Sequence, residues 1–227
     1  MTPSHSAILA QMRTKRERVD VGAPDLYLAA MAILPIRVIP DPVLRAKADP
    51  VAAVDADLRR LIDDMLETMY AAPGIGLAAP QVGVMIRLAV VDVSKRDDEQ
   101  VPMALINPVI TWKSDETSVY EEGCLSIPEY FEEVERPAKI RVKFTDRDGN
   151  EQEVEAEGVF ATCIQHEIDH LDGVLFIDHI SKLKRDMVWK KAVKTFKHDG
   201  PQTYTPKPKP PQMPPDDGDG IENLGKL

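Results

Sequence analysis

Apolar residues Leu58, Leu61, Ile62, Met65, Leu66 and Met69 recur every three or four positions, one face of a 3.6-residue helix. Asp55 stands just ahead, where a carboxylate caps the first free amides, so a helix is expected through about Tyr70. The rhythm then changes. Ile86–Val93, Ala104–Trp112 and Lys139–Thr145 are rich in β-branched residues and predict strands, as does Thr117-Ser118-Val119-Tyr120. Asp148-Gly149 is a hairpin signal, and alternation resumes over Glu151–Glu157. A helix is expected from about Gly158 to Leu171, a short strand over Val174–Ile177, and a last helix over about Ser181–Lys197. Together these elements make an α+β chain.

The 158–171 helix carries the first candidate chemistry. His166-Glu167-Ile168-Asp169-His170 places two imidazoles one turn apart on one helix face. Both can meet one ion while Glu167 reaches a water beside it, the layout of metal-assisted hydrolysis. Two ordinary surface histidines would give the same spacing, and two imidazoles leave a tetrahedral site one protein ligand short. Some zinc proteases take the third ligand from a later Gly and His; here Gly173 is in place, but Phe176 occupies the histidine position. Others take a Glu from a downstream helix. The only Glu after His170 is Glu222, in a proline- and aspartate-rich tail. Neither protease layout fits, and the ligand must be sought upstream.

Two cysteines are available. Cys163 shares a stripe with both histidines, and three ligands on one stripe cannot surround an ion; a small apolar core residue is the better reading. Cys124 lies in Glu121-Glu122-Gly123-Cys124-Leu125-Ser126-Ile127-Pro128, where the preceding glycine allows close backbone approach and a thiolate suits Zn²⁺ or Fe²⁺. Cys124 as a lone nucleophile stays open, but the paired histidines argue for metal. Two cysteines in 227 residues do not make a disulfide scaffold.

A third segment, Gly74-Ile75-Gly76-Leu77-Ala78-Ala79-Pro80-Gln81-Val82-Gly83, lacks the Lys-Ser/Thr of a P-loop and the spacing of a dinucleotide fingerprint. Its small residues point to a backbone that something approaches closely, or to a plain structural turn. Gln81 offers an amide N–H that can stabilise an oxyanion.

With the three segments together, the chain closely resembles peptide deformylase, a family marked by GxGxAAxQ, EGCxS and HExxH in that order. Here they stand as Gly74–Gln81, Glu122–Ser126 and His166–His170, and the resemblance covers roughly residues 31–197. It implies antiparallel or mixed β-sheets packed around a central metal-binding HExxH helix, with a C-terminal helix. It also implies a bacterial-type cytoplasmic hydrolase that removes formyl from the N-terminal formyl-methionine of new proteins. By the same resemblance Cys124, His166 and His170 hold one divalent metal, natively Fe²⁺, with Zn²⁺, Ni²⁺ or Co²⁺ able to replace it. Glu167 is then the general base, and Gln81 with the Leu125 backbone N–H meets the oxyanion. Ile75, Gly76 and Gly123 would align an extended peptide, and Val159, Thr162 and Cys163 either wall a methionine pocket or simply pack the core. One departure is visible: some members carry Arg seven residues past the ligand cysteine, where this chain has Phe131.

Composition fits that picture. With 43% hydrophobic residues the chain can bury one good core, and no apolar run approaches the ~20 residues of a membrane span. A net charge of −10 disfavours general nucleic-acid binding. The last helix is the exception: Lys182, Lys184, Arg185, Lys190, Lys191, Lys194 and Lys197 read either as a solvated face or as a ribosome-docking surface for rRNA phosphates. Residues 198–227, with seven prolines between 201 and 215, are expected to be a disordered tail. Residues 1–30 form an extension whose Arg13, Lys15, Arg16 and Arg18 hint at a transit peptide, against which Glu17, Asp20 and Asp25 weigh; translation starting near Met31 is the other reading.

Overall fold

The computed structural model describes residues 32–94, 100–200 and 202–207. In chain order the elements are β1 (Ile36–Arg37), a 3-10 turn (Pro42–Arg45), α1 (Ala56–Ala71), β2 (Gly76–Ala78), a second 3-10 turn (Ala79–Val82) and β3 (Leu88–Val91). Then come β4 (Met103–Lys113), β5 (Thr117–Cys124), β6 (Ile127–Pro137), β7 (Lys139–Thr145), β8 (Glu151–Glu157), α2 (Gly158–Leu171), a 3-10 turn (Phe176–Asp178), α3 (Lys182–Asp199) and β9 (Thr203–Tyr204). Five strands form an antiparallel sheet in the order β2-β3-β4-β7-β8; β5-β6 and β1-β9 are separate antiparallel pairs. The α+β expectation and the C-terminal helix hold.

Helices cover the two faces of the five-stranded sheet. Asp55 caps α1 by accepting from the Leu58 amide at 2.8 Å. The helix then buries Leu58, Leu61, Ile62, Met65 and Met69 against Leu77, Leu88, Val90 and Ile106. Each such side chain contributes about 1.5–3 kcal/mol when fully buried. The other face, with Val91, Leu105, Ile140, Val142 and Phe144, receives Ala161, Ile164 and Ile168 of α2. β3 is therefore apolar at every position, as a strand covered on both sides must be. It is shorter than the expected Ile86–Val93: Ile86 makes only an isolated bridge to Asp49, and the Asp92 amide turns to the Ile75 carbonyl.

β8 passes directly into α2 at Gly158, whose φ of +62° lets the chain swing from strand to helix. β6 was not foreseen, because its exposed glutamates interrupt any apolar rhythm. The strand expected at Val174–Ile177 is instead a core-packed turn. Leu175, Phe176 and Ile177 enter a third cluster with Ile127 and Val134, while the Asp178 carboxylate accepts from the Leu175 amide at 2.9 Å and pairs with Arg45. Four apolar residues are too few to reveal a period. The tail expectation also needs correction at its start. His198 and Asp199 extend α3, and Thr203-Tyr204 pairs with β1, with the Val38 amide donating to the Gln202 carbonyl at 3.2 Å. The rest of the expected tail and the expected 1–30 extension lie outside the described residues. Among the described residues no helix is long and apolar enough to cross a membrane.

Candidate metal centre

Two elements bring three donors together. The β5-β6 ladder shifts register after Gly123: Gly123 faces Phe131, but Cys124 faces Ile127. Residues 128–130 thus stand outside the ladder, and Cys124 closes the end of β5. α2, locked by its core face, supplies His166 and His170. The Cys124, His166 and His170 donor atoms all lie within 4.8 Å of one another, with Cys124 Sγ 3.2 Å from His170 Nε2. Cys163, on the same helix, stays out of this group and donates its thiol to the Ile75 carbonyl at 3.3 Å.

The donors suit a divalent ion. A thiolate with two imidazoles is a set that Zn²⁺ and Fe²⁺ both accept, and three protein ligands leave one position open. Burial opposes ionisation of Cys124, but the charge of His170 and a hydrogen bond from His166 outweigh it and lower the thiol to about 5. The sulfur also accepts from the Ser126 amide at 3.4 Å and the Gln81 Nε2 at 3.6 Å. The Gln81 Oε1 is held by the Ala78 amide at 2.8 Å, which aims the nitrogen at Cys124 and Ser126. Glu167 is 4% exposed, and its Oε2 has no hydrogen-bond partner. Burial raises its carboxyl to about 7, against the pull of His166 and His170.

Behind the donors runs a chain of polar side chains, buried at Glu122 and Arg136 and reaching the surface at His179. His166 Nδ1 lies 2.8 Å from Glu122 Oε2, so its Nε2 is the nitrogen left for a metal. Arg136 grips both Glu122 oxygens, at 2.5 and 3.0 Å, and reaches Asp169 at 2.8 Å; His179 meets the same Asp169 oxygen at 2.8 Å. Burial alone would raise the Glu122 carboxyl, but hydrogen bonds from His166 and Arg136 hold it below the ordinary value. Glu122 sits in a motif, two residues before Cys124, and offered a signal. Arg136 and His179 offered none.

The centre lies in a cleft of about 500 Å³. Of the expected site residues, Gln81, Leu125, Ile75, Gly76, Gly123, Cys124, His166 and Glu167 all line it. So do Val159, Thr162 and Cys163 on the α2 side and Phe131 on the β6 side. His170 stands behind them, 1% exposed. β2 is the edge strand of its sheet, leaving one side of Gly76 open to another extended chain. A Cβ on Gly76 would overlap the Glu167 carboxylate and lie 2.9 Å from Cys163 Sγ, so only glycine lets Glu167 rest against this backbone. The Ile75 carbonyl already takes two donors, the Asp92 amide and the Cys163 thiol.

The sequence profile of the family described as polypeptide deformylase matches residues 33–186. The chain belongs to this family. The peptide deformylase of Rhizobium meliloti (strain 1021) is 63% identical over 170 residues, covering 75% of this chain and 98% of that protein. A crystal structure of peptide deformylase from Ehrlichia chaffeensis in complex with actinonin superposes with a TM-score of 0.69 at 44% identity, covering 73% of this chain and 98% of that one. One from Legionella pneumophila gives 0.67 at 45%, covering 74% and 96%. The family profile thus spans α1, the five-stranded sheet, the β5-β6 pair and α2, and ends at residue 186, within α3.

Proposed function

We propose that this chain is a metal-dependent peptide deformylase that removes the formyl group from the N-terminal formyl-methionine of newly synthesised proteins and releases formate. The observation that carries this reading is the convergence of Cys124, His166 and His170 beside an unpartnered Glu167, at one cleft of a deformylase-family chain. Cys124, His166 and His170 hold one divalent ion per chain, Fe²⁺ as the resident metal, with Zn²⁺, Ni²⁺ or Co²⁺ fitting the same donors. A bound ion supplies Lewis acidity, making water a better nucleophile at neutral pH and drawing charge from the formyl oxygen.

The protein's own groups do the rest. Glu167 takes the proton of the attacking water and returns one to the methionine nitrogen as the formyl C–N bond breaks. Gln81 Nε2 and the Leu125 N–H meet the oxyanion that forms on the formyl oxygen. The peptide lies extended along the free edge of β2, hydrogen-bonded to Gly76 and Gly123, as a strand added beside another. Ile75 contributes chiefly its exposed side chain, since its carbonyl is already taken. Val159, Thr162 and Cys163 wall the methionine pocket.

The wider setting follows from the same reading. A deformylase meets its substrates in the bacterial cytoplasm as they leave the ribosome, and α3 exposes Lys182, Lys190, Lys191, Lys194 and Lys197 as a surface for rRNA phosphates. Lys184 is less free, being paired with Glu132 at 2.8 Å. Co-sedimentation with ribosomes that persisted after charge reversal of those lysines would refute this docking.

The reaction is tested by assaying protein purified without oxygen on formyl-Met-Ala and on casein. Formate release with intact casein is the expected result. Casein cleavage, or no formate from protein with a full metal complement, would overturn the reading. Iron-loaded protein should lose activity in air while zinc-loaded protein keeps it, since a thiolate beside Fe²⁺ is an oxidation target.

A further inference from the structure

Among the described residues, Tyr204 of β9 is the one cleft-lining residue that lies beyond residues 33–186, which the family profile matches. Tyr204 lines the same cavity as Gly123, Cys124 and Glu167. Its backbone is fixed: Tyr204 faces Ile36 and Thr203 faces Arg37 in the β1-β9 pair, and Pro206 is buried just beyond.

A second cavity of about 500 Å³ is lined by α3, by Val38 and Ile39 just after β1, and by Thr203 and Tyr204 of β9. The two cavities share Ile127, Pro128, Glu129 and Tyr204. Tyr204 thus stands where the two cavities adjoin, half-buried and in the lining of both. The cleft lining to which it belongs includes Leu125, Ile127, Pro128 and Phe131, all apolar, and the acidic Glu129.

Side chains of an extended peptide alternate between opposite sides. With methionine directed to the α2 wall of Val159, Thr162 and Cys163, the next residue is directed to the wall formed by β6 and β9. We propose that Tyr204 is a specificity-determining residue, which receives an apolar side chain at the position immediately after methionine. The inference rests on the deformylase reading above.

The test compares kcat/KM for formyl-Met-Leu-amide with that for formyl-Met-Gly-amide in the wild-type protein, Tyr204→Ala and Tyr204→Phe. One apolar contact in a partly open wall is at the low end of pocket discrimination, so the Leu/Gly ratio should fall roughly fivefold in Tyr204→Ala, through KM rather than kcat. Tyr204→Phe, which keeps the ring, should keep the ratio. An unchanged ratio in Tyr204→Ala would overturn the proposal. So would equal losses on both peptides through kcat, the signature of a disturbed fold. No formate from the wild-type protein on either peptide would overturn the deformylase reading itself and the proposal with it.

Discussion

α2 and α3 are helices of similar length with opposite fates. Most of α2 is buried, polar residues included, whereas no residue of α3 is. In α2 a polar side chain must find a partner or serve a purpose. Gln165 donates to the Pro137 and Ala161 carbonyls, and His166 leans on Glu122. Glu167 Oε2 and Thr162 Oγ1, buried without partners, both belong to residues that line the cleft. In α3 the lysines stay in water, and the helix is held by Val188, Trp189 and Ala192 against the third core cluster. A site that must hold three donors within 4.8 Å takes two of them from a helix packed into the core and the third from the end of β5, while the lysines of α3 stay at the surface.

The contrast can be broken most severely at the donors. Stripping the ion with a chelator should end formate release completely, and adding Fe²⁺ should restore it; turnover by protein with no measurable metal would refute the assignment of Cys124, His166 and His170. Next comes the support behind them. Glu122→Gln should weaken metal retention about 10–100-fold, measured by chelator competition, because outer partners of ligating histidines carry effects of that size. Lys190→Glu on α3 should leave retention unchanged. Stability separates the helices more modestly: Ile164→Ala in α2 should cost about 2–5 kcal/mol in denaturant unfolding. Leu183→Ala, on an α3 side chain that is 73% exposed, should stay within about 0.5 kcal/mol.

The smallest effect lies at the β7-β8 turn. Hydrogen bonds from the Asn150 amide and the Gln152 side chain hold the Asp146 carboxyl down at about 2, from 3.8. Its folded value is the lower one, so the turn's stabilisation is present above pH 3.8 and is lost as pH falls toward about 2. Amide exchange at Asn150 should quicken over that window while α2 stays protected; no change there would contradict the assignment.

Local patterns were legible where one face or one turn decided the outcome. Lys139–Thr145, Glu151–Glu157 and Gly158–Leu171 were read to the residue, because alternation, a hairpin turn and a helical stripe each leave a mark. The three motifs named the residues that meet in the cleft. The tertiary partners of those residues left no such mark. Arg136 is an arginine near the end of a charged strand, and only the fold brings it to Glu122. Tyr204 lay in a stretch read as disordered, and its place in the cleft depends on a two-residue pairing with β1. The apolar run at 174–177 failed for a related reason: four residues fit a strand or a buried turn equally well, and Asp178 decided for the turn.

The proposed role of Glu167 is to move the proton in a metal-assisted deformylation. The most direct measurement is formate release from formyl-Met-Ala by wild-type protein and by Glu167→Ala, with metal content determined on the same samples. With Glu167 as the base, kcat should fall about 10²–10⁴-fold with the metal still bound. Undiminished release by metal-loaded Glu167→Ala would contradict it.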